Sequence, residues 1–266
     1  MDTRDGGNSN ESFAGQPRSL DDFTLLKRIG RGNTADALLA ETVLDGQHCV
    51  VRAVRKKSIF GEDEAARVFA QKEILSRPQV LEHPFIITLQ STFQNKSHLF
   101  FVTEFVAGGD LMFHLREGRF ELSRTSFYAA EVCLALQFLH SRSILHRGVS
   151  LDNILLASNG HIKLVGFSNS KLLTRPRTRS FAGSATFVAP EVLLGHDYGF
   201  SVDWWAFGVV LYQMLLHREP FSGDSEDEVL TAILDRVADF PSDLPSHAET
   251  LLKGLFERDP DQRFWA

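Results

Sequence analysis

The spacing of apolar and polar positions changes several times along this chain. Residues 1–18 hold almost no apolar side chains and are rich in Gly, Asn, Ser and Asp, so a disordered tail is expected over residues 1–22. From Phe23 the pattern becomes strand-like. Short apolar or alternating runs at Phe23–Ile29, Ala37–Ala40 and Cys49–Val54 predict three strands, the last two joined by an Asp45-Gly46 turn. Glu62–Leu75 predicts a helix whose acidic first turn suits the positive end of the helix dipole. His83–Leu89 and Leu99–Phe105 predict two further strands.

Gly108-Gly109 interrupts this β-rich part. Leu111–Arg116 then predicts a short helix ended by Gly118. Ser123 is expected to cap a long helix to His140, with Phe127, Val132, Leu134, Leu136 and Leu139 as its apolar face. Short strands at Ile154–Leu156 and His161–Leu164 flank an Asn159-Gly160 turn. A basic loop covers 169–186, and Ser201 is expected to cap a strongly apolar helix to about His217. The fold class is therefore α+β. A five-stranded β-rich lobe with one main helix is expected over 23–104, a hinge over 104–108, and a larger helical lobe over 109–266.

Composition narrows the function classes. Of 266 residues, 43% are hydrophobic, enough for a large core. A net charge of -6 argues against a nucleic-acid partner. The most apolar helical run, Ala206 to Leu216, is short of the roughly 20 residues that a membrane span needs. No leader pattern opens the chain. Cys49 and Cys133 sit in apolar runs and predict buried thiols without metal spacing. A soluble cytoplasmic protein is expected.

Several spaced motifs then point one way. They are Ile-Gly-Arg-Gly at 29–32, His-Pro-Phe at 83–85, Glu-Phe-Val-Ala-Gly-Gly-Asp-Leu at 104–111 and Phe-Tyr-Ala-Ala-Glu at 127–131. Leu-Asp-Asn at 151–153, Gly-His-Ile-Lys-Leu at 160–164, Val-Ala-Pro-Glu at 188–191 and Ser-Val-Asp-Trp-Trp-Ala-Phe-Gly at 201–208 follow. Together they resemble a eukaryotic protein kinase domain of the AGC branch, closest to the protein kinase C group. The resemblance implies a bilobal kinase fold. It also implies a nucleotide pocket formed by Ile29, Gly30, Gly32, Ala37, Val50, Arg52, Thr103, Glu104, Val106 and Leu155.

The same resemblance exposes departures at the chemical positions. Kinase motifs read H-R-D-L-x-x-x-N and D-F-G. Here the two aspartate positions are Gly148 and Gly166, and Ser150 stands where a phosphate-contacting lysine is usual, while Asn153 is retained. Arg52 replaces the strand lysine. Gln71 replaces its helix glutamate, with Glu73 or Lys72 as alternatives one register away. Ala35 takes the third glycine position of the phosphate loop. Glycine cannot accept a proton, and Asn153 alone is a poor ligand for a hard dication.

The expectation is therefore a catalytically inactive pseudokinase, not an enzyme, acting as a protein-binding scaffold. No cofactor is expected; any ATP binding would be weak and without magnesium. Its partners would be an active kinase relative or that relative's basic substrates. Two alternatives remain: a weak or atypical serine/threonine kinase using Arg52 and Asn153, and a metal-independent nucleotide sensor. Further positions follow from the resemblance. Ser180 matches an activation-loop phosphorylation site, with Arg147 and Lys171 as its charge partners. Asp110 and Asp152 match substrate-docking acids. Leu75, Leu89, His146 and Phe167 match a stacked apolar column anchored on Asp203, and Glu191 and Arg263 match a buried ion pair.

Overall fold

A computed structural model describes residues 19–31, 34–180 and 185–265. The chain divides into two compact units. One runs up to Phe60 and includes Thr88–Phe105; the other comprises Gly61–Ile87 and the chain from Val106.

The first unit is an antiparallel five-stranded sheet. Its strands are β1 (Phe23–Arg31), β2 (Ala35–Thr42), β3 (His48–Arg55), β4 (Leu89–Gln94) and β5 (His98–Glu104), ordered β1-β2-β3-β5-β4. Strand periodicity sorts the side chains: Cys49, Val51 and Ala53 face a core shared with Phe23, Ala40, Phe100 and Val102, while Val50 and Arg52 take the other face. The fourth strand differs from expectation. Pro84 removes a ladder donor, so His83 to Thr88 stays largely irregular and pairing starts at Leu89. Residues 19–22, expected within the disordered tail, form a capped turn. The Asp21 amide donates to Ser19 Oγ (3.1 Å) and the Ser19 amide to Asp22 Oδ2 (2.9 Å), with Leu20 packed on the core. The rest of that tail lies outside the described residues.

The second unit opens with α1 (Gly61–Leu75) and α2 (Pro78–Leu81), then α3 (Leu111–Leu115) and α4 (Leu122–Ser141). Strand β6 (Ile144–Leu145) pairs with β9 (Lys171–Leu172), and β7 (Ile154–Leu156) with β8 (Ile162–Leu164). Helices α5 (Pro190–Leu193), α6 (Ser201–Leu216), α7 (Glu226–Asp235) and α8 (Ser246–Leu255) complete it. Every residue of α6 from Ser201 to Met214 is buried, as suits a helix apolar on all sides.

Two expected caps are absent. Helix α4 begins at Leu122 with no side-chain cap bond, and α6 has Phe200 at its N-cap. Ser201 turns instead toward Glu191 (3.4 Å). The buried stripe of α4 runs through Tyr128, Val132, Ala135, Leu136 and Leu139, leaving Phe127 and Leu134 exposed on other faces. Cys133 is only partly buried, unlike Cys49.

Candidate active site

The second unit holds a pair of loops, 146–153 and 165–169, the first fixed by Asp203 on α6. Asp203 Oδ1 accepts the Arg147 amide (2.8 Å), and Oδ2 accepts the His146 amide (2.9 Å) and His140 Nε2 (2.8 Å). Burial would push this carboxyl upward. The hydrogen bonds from His140 and from the His146 amide outweigh it and hold the group below its ordinary value. His140 has no part in the kinase-like motifs, and only its place at the end of α4 could have suggested the contact.

His146 uses both ring nitrogens. Nε2 donates to the Val165 carbonyl (3.0 Å), and Nδ1 accepts the Gly148 amide (3.2 Å). That arrangement needs a neutral ring, and burial pushes its pKa below the ordinary value. Its edge packs on Phe167 (ring centroids 4.7 Å apart). Phe167 and Leu75 are both buried in this unit, where α1 packs on the turn at 167–169; Leu89 is buried in the first unit.

Arg147, at φ +57°, aims into the segment that follows β9. Its Nε donates to the Asn169 carbonyl (2.7 Å) and its Nη1 to Ser180 Oγ (2.8 Å) and the Tyr198 hydroxyl (3.1 Å). The Tyr198 hydroxyl donates to the Ser180 carbonyl. Lys171 Nζ reaches Thr178 Oγ1 (2.8 Å) and Ser180 Oγ (3.5 Å). Burial and the Arg147 charge lower the Lys171 pKa; Asp63 opposes this and Arg67 adds to it. Arg147, Lys171 and Ser180 thus meet at one point. Tyr198 and Thr178 join them, and spacing alone gave no signal for either.

A pocket of about 220 Å³ lies beside the first loop, lined by Gly148, Ser150, Asp152 and Asn153 together with Phe187 and Val188. Asn153 Nδ2 donates to the Gly148 carbonyl (2.8 Å). Asp152 is exposed. Asp110 is spent differently: it caps α3 by accepting the Phe113 amide (2.7 Å). Glu191 and Arg263 form a buried bidentate pair at 2.6 and 2.9 Å.

The expected nucleotide-lining residues divide between the units. Ile29 and Gly30 lie on β1, Ala37 on β2, Val50 and Arg52 on β3, and Thr103 and Glu104 on β5. Register places Gly30 opposite Ala37, Ala37 opposite Arg52, and Val50 opposite Thr103, so Ala37, Val50, Arg52 and Thr103 share one sheet face. Burial lowers the Arg52 pKa. Glu104 Oε1 accepts the Thr88 amide (2.8 Å). Val106 and Leu155 belong to the second unit. Gly32 lies outside the described residues.

The site thus rests on a loop anchored by a buried aspartate within the larger, helical unit, beside a separate β-rich unit. The chain matches the protein kinase domain family over residues 23–266 and belongs to it, with its bilobal α+β fold. It is 42% identical over 248 residues to "Protein kinase C delta type" of Mus musculus, covering 92% of this chain and 36% of that protein. Identity to the Homo sapiens protein of the same name is 41% over 248 residues, with the same coverage. To "Protein kinase C-like" of Cochliobolus heterostrophus it is 38% over 257 residues, covering 96% of this chain and 22% of the other. The chain thus spans about a third or less of the length of these relatives.

These matches correct two expectations. The expectation that the chain is not an enzyme is overturned: it is kin, over nearly its whole length, to proteins named as kinases, and the pseudokinase reading gives way to the kinase alternative. The expectation of no cofactor, with ATP bound weakly at most and without magnesium, falls with it, since that kinship implies both ATP and magnesium. The residues at the expected metal positions fit the ion poorly, however. Position 166 has no carboxylate, the Asn153 amide nitrogen is turned to Gly148, and no cluster of three or more His, Cys, Asp or Glu groups occurs among the described residues. Among the described residues, no helix is long and apolar enough to cross a membrane.

Proposed function

We propose that the chain is an ATP-dependent protein serine/threonine kinase domain of the protein kinase C type, acting slowly on basic protein segments in the cytoplasm. The observation that carries this reading is kinship: 42% and 41% identity, spread over 92% of the chain, to proteins named protein kinase C. The anchoring of loop 146–153 on Asp203 supports it, because phosphoryl transfer depends mostly on positioning and charge neutralisation. Arg52 supplies the phosphate-facing cation of β3, keeping the charge of a lysine without its compact shape. Asp152, exposed at the pocket rim, reads basic residues of the acceptor, and Asp110 does so with its remaining carboxylate oxygen. Ser180 is the regulatory position: a phosphate there adds about -1.5 to -2 charge beside Arg147 and Lys171.

The slow rate follows from Gly148. Without a carboxylate to accept the hydroxyl proton, transfer loses roughly 100- to 10,000-fold. The test is incorporation of phosphate from ATP into a basic peptide, with magnesium and with manganese. Slow incorporation that an Arg52→Ala change abolishes supports the reading. Incorporation no greater than without protein, or unaffected by Arg52→Ala, overturns it.

A further inference from the structure

The two glycines at the chemical positions are each held by the loop opposite. Gly166 lies at φ +87°, a conformation that side-chain-bearing residues adopt only under strain. A Cβ added there would fall 2.6 Å from both Oδ1 and Nδ2 of Asn153. A Cβ added at Gly148 would fall 2.9 Å from the carbonyl oxygen of Gly166 and 3.5 Å from the His146 ring. Non-bonded heavy atoms do not settle at 2.6 or 2.9 Å, and in the second case the obstacle at 2.9 Å is backbone. Four hydrogen bonds knit the same atoms together. Asn153 Nδ2 donates to the Gly148 carbonyl, the Gly148 amide to His146 Nδ1, His146 Nε2 to the Val165 carbonyl, and the Val165 amide to the Asn153 carbonyl (2.8 Å).

We infer that Asn153, Gly148 and Gly166 form one interlocked positioning unit. The Asn153 side chain, held by the Gly148 carbonyl, fills the room that a side chain at 166 would need, and the Gly166 carbonyl fills the room that one at 148 would need. The unit sets the separation of the two loops. The glycines are therefore coupled positions: restoring a side chain at 166 displaces the Asn153 side chain, and restoring one at 148 displaces the backbone at 166, before any chemistry is gained. This stands whether or not the chain transfers phosphate.

The experiment is a pair of double-mutant cycles read by urea unfolding of the full chain. Gly166→Ala is expected to lower the folding equilibrium constant about a hundredfold, from strain and overlap together. Adding Asn153→Ala removes the overlap and leaves the strain, and is expected to return about tenfold. The same Asn153→Ala change is expected to return nothing to Gly148→Ala, whose obstacle is the Gly166 carbonyl. Additive losses at 166, equal recovery at both glycines, or a harmless Gly166→Ala would each overturn the inference.

Should the Gly166→Ala variants fail to fold, hydrogen exchange on Asn153→Ala decides. The Gly148 and Val165 amides are expected to exchange together about tenfold faster, while those of His146 and Arg147, held by Asp203, stay protected. Unchanged protection at Gly148 and Val165 would sink the idea.

Discussion

Asp203 engages both carboxylate oxygens, on two backbone amides and one histidine, all in the interior of the second unit. Removing it leaves two buried N–H groups and His140 without their acceptor. Asp203→Ala is therefore expected to cost about 3–5 kcal/mol, read as a lowered urea midpoint at constant slope. His146 gives a pH signature at the same scale. Its neutral ring donates at Nε2 and accepts at Nδ1, so protonation in the fold would cost it the Gly148 contact. The folded pKa lies below the ordinary 6.5, so the unfolded chain takes up the proton first as pH falls. His146 thus contributes stability that is present above pH 6.5 and lost as pH drops from there toward the folded value. His83 has the same sign. Thermal midpoints measured from pH 7.5 down to 5.5 should fall. His146→Gln should flatten that slope, by up to about 1.4 kcal/mol per pH unit.

At the scale of elements, the segment after β9 behaves as a strap. Thr178 and Tyr198 exchange two backbone hydrogen bonds, at 2.8 and 2.9 Å. The Tyr198 hydroxyl ties Ser180 to Arg147, and exposed pairs of Arg177 with Asp261 and Arg179 with Asp197 add little. Tyr198→Phe removes the hydroxyl's two hydrogen bonds while Arg147 keeps those to Asn169 and Ser180, an expected cost of about 0.5–1.5 kcal/mol. Trypsin cleavage after Arg177 and Arg179 should speed up while overall unfolding shifts only modestly. The Glu191–Arg263 pair pins α5 to the chain beyond α8. Arg263→Ala strands a buried carboxylate and should cost about 3–5 kcal/mol, whereas breaking the exposed Arg218–Asp239 pair should leave the urea midpoint almost unchanged. Both are checked by the same urea titration.

At the scale of the whole molecule, much of the order of elements was legible from patterning. The β1–β3 alternation, the α1 acidic turn and the apolar run of α6 fell near their predicted places because local periodicity and burial agree there. The misses have local causes. Pro84 spoiled a strand that apolar content alone suggested, and Ser123 is the second residue of α4 and Ser201 the first of α6, past the positions where they could cap. The site was legible as a set of motif positions, yet its connectivity was not. Gly148, Gly166 and Arg52 could be read as departures from a kinase pattern, but they did not decide function. Identity over 92% of the chain to proteins named as kinases outweighed them.

By itself the sequence determined the α+β class, the kinase-like motif order, and which chemical groups stand at each motif position, because these depend on residue identity and short-range periodicity. The tertiary structure decided what those groups touch. Tyr198 and Thr178 reached Ser180, His140 reached Asp203, and the Asn153 side chain came to occupy the space over Gly166. Such contacts join residues far apart along the chain, and close packing fixes them to a few tenths of an ångström. Residue spacing along a sequence carries no information at that resolution.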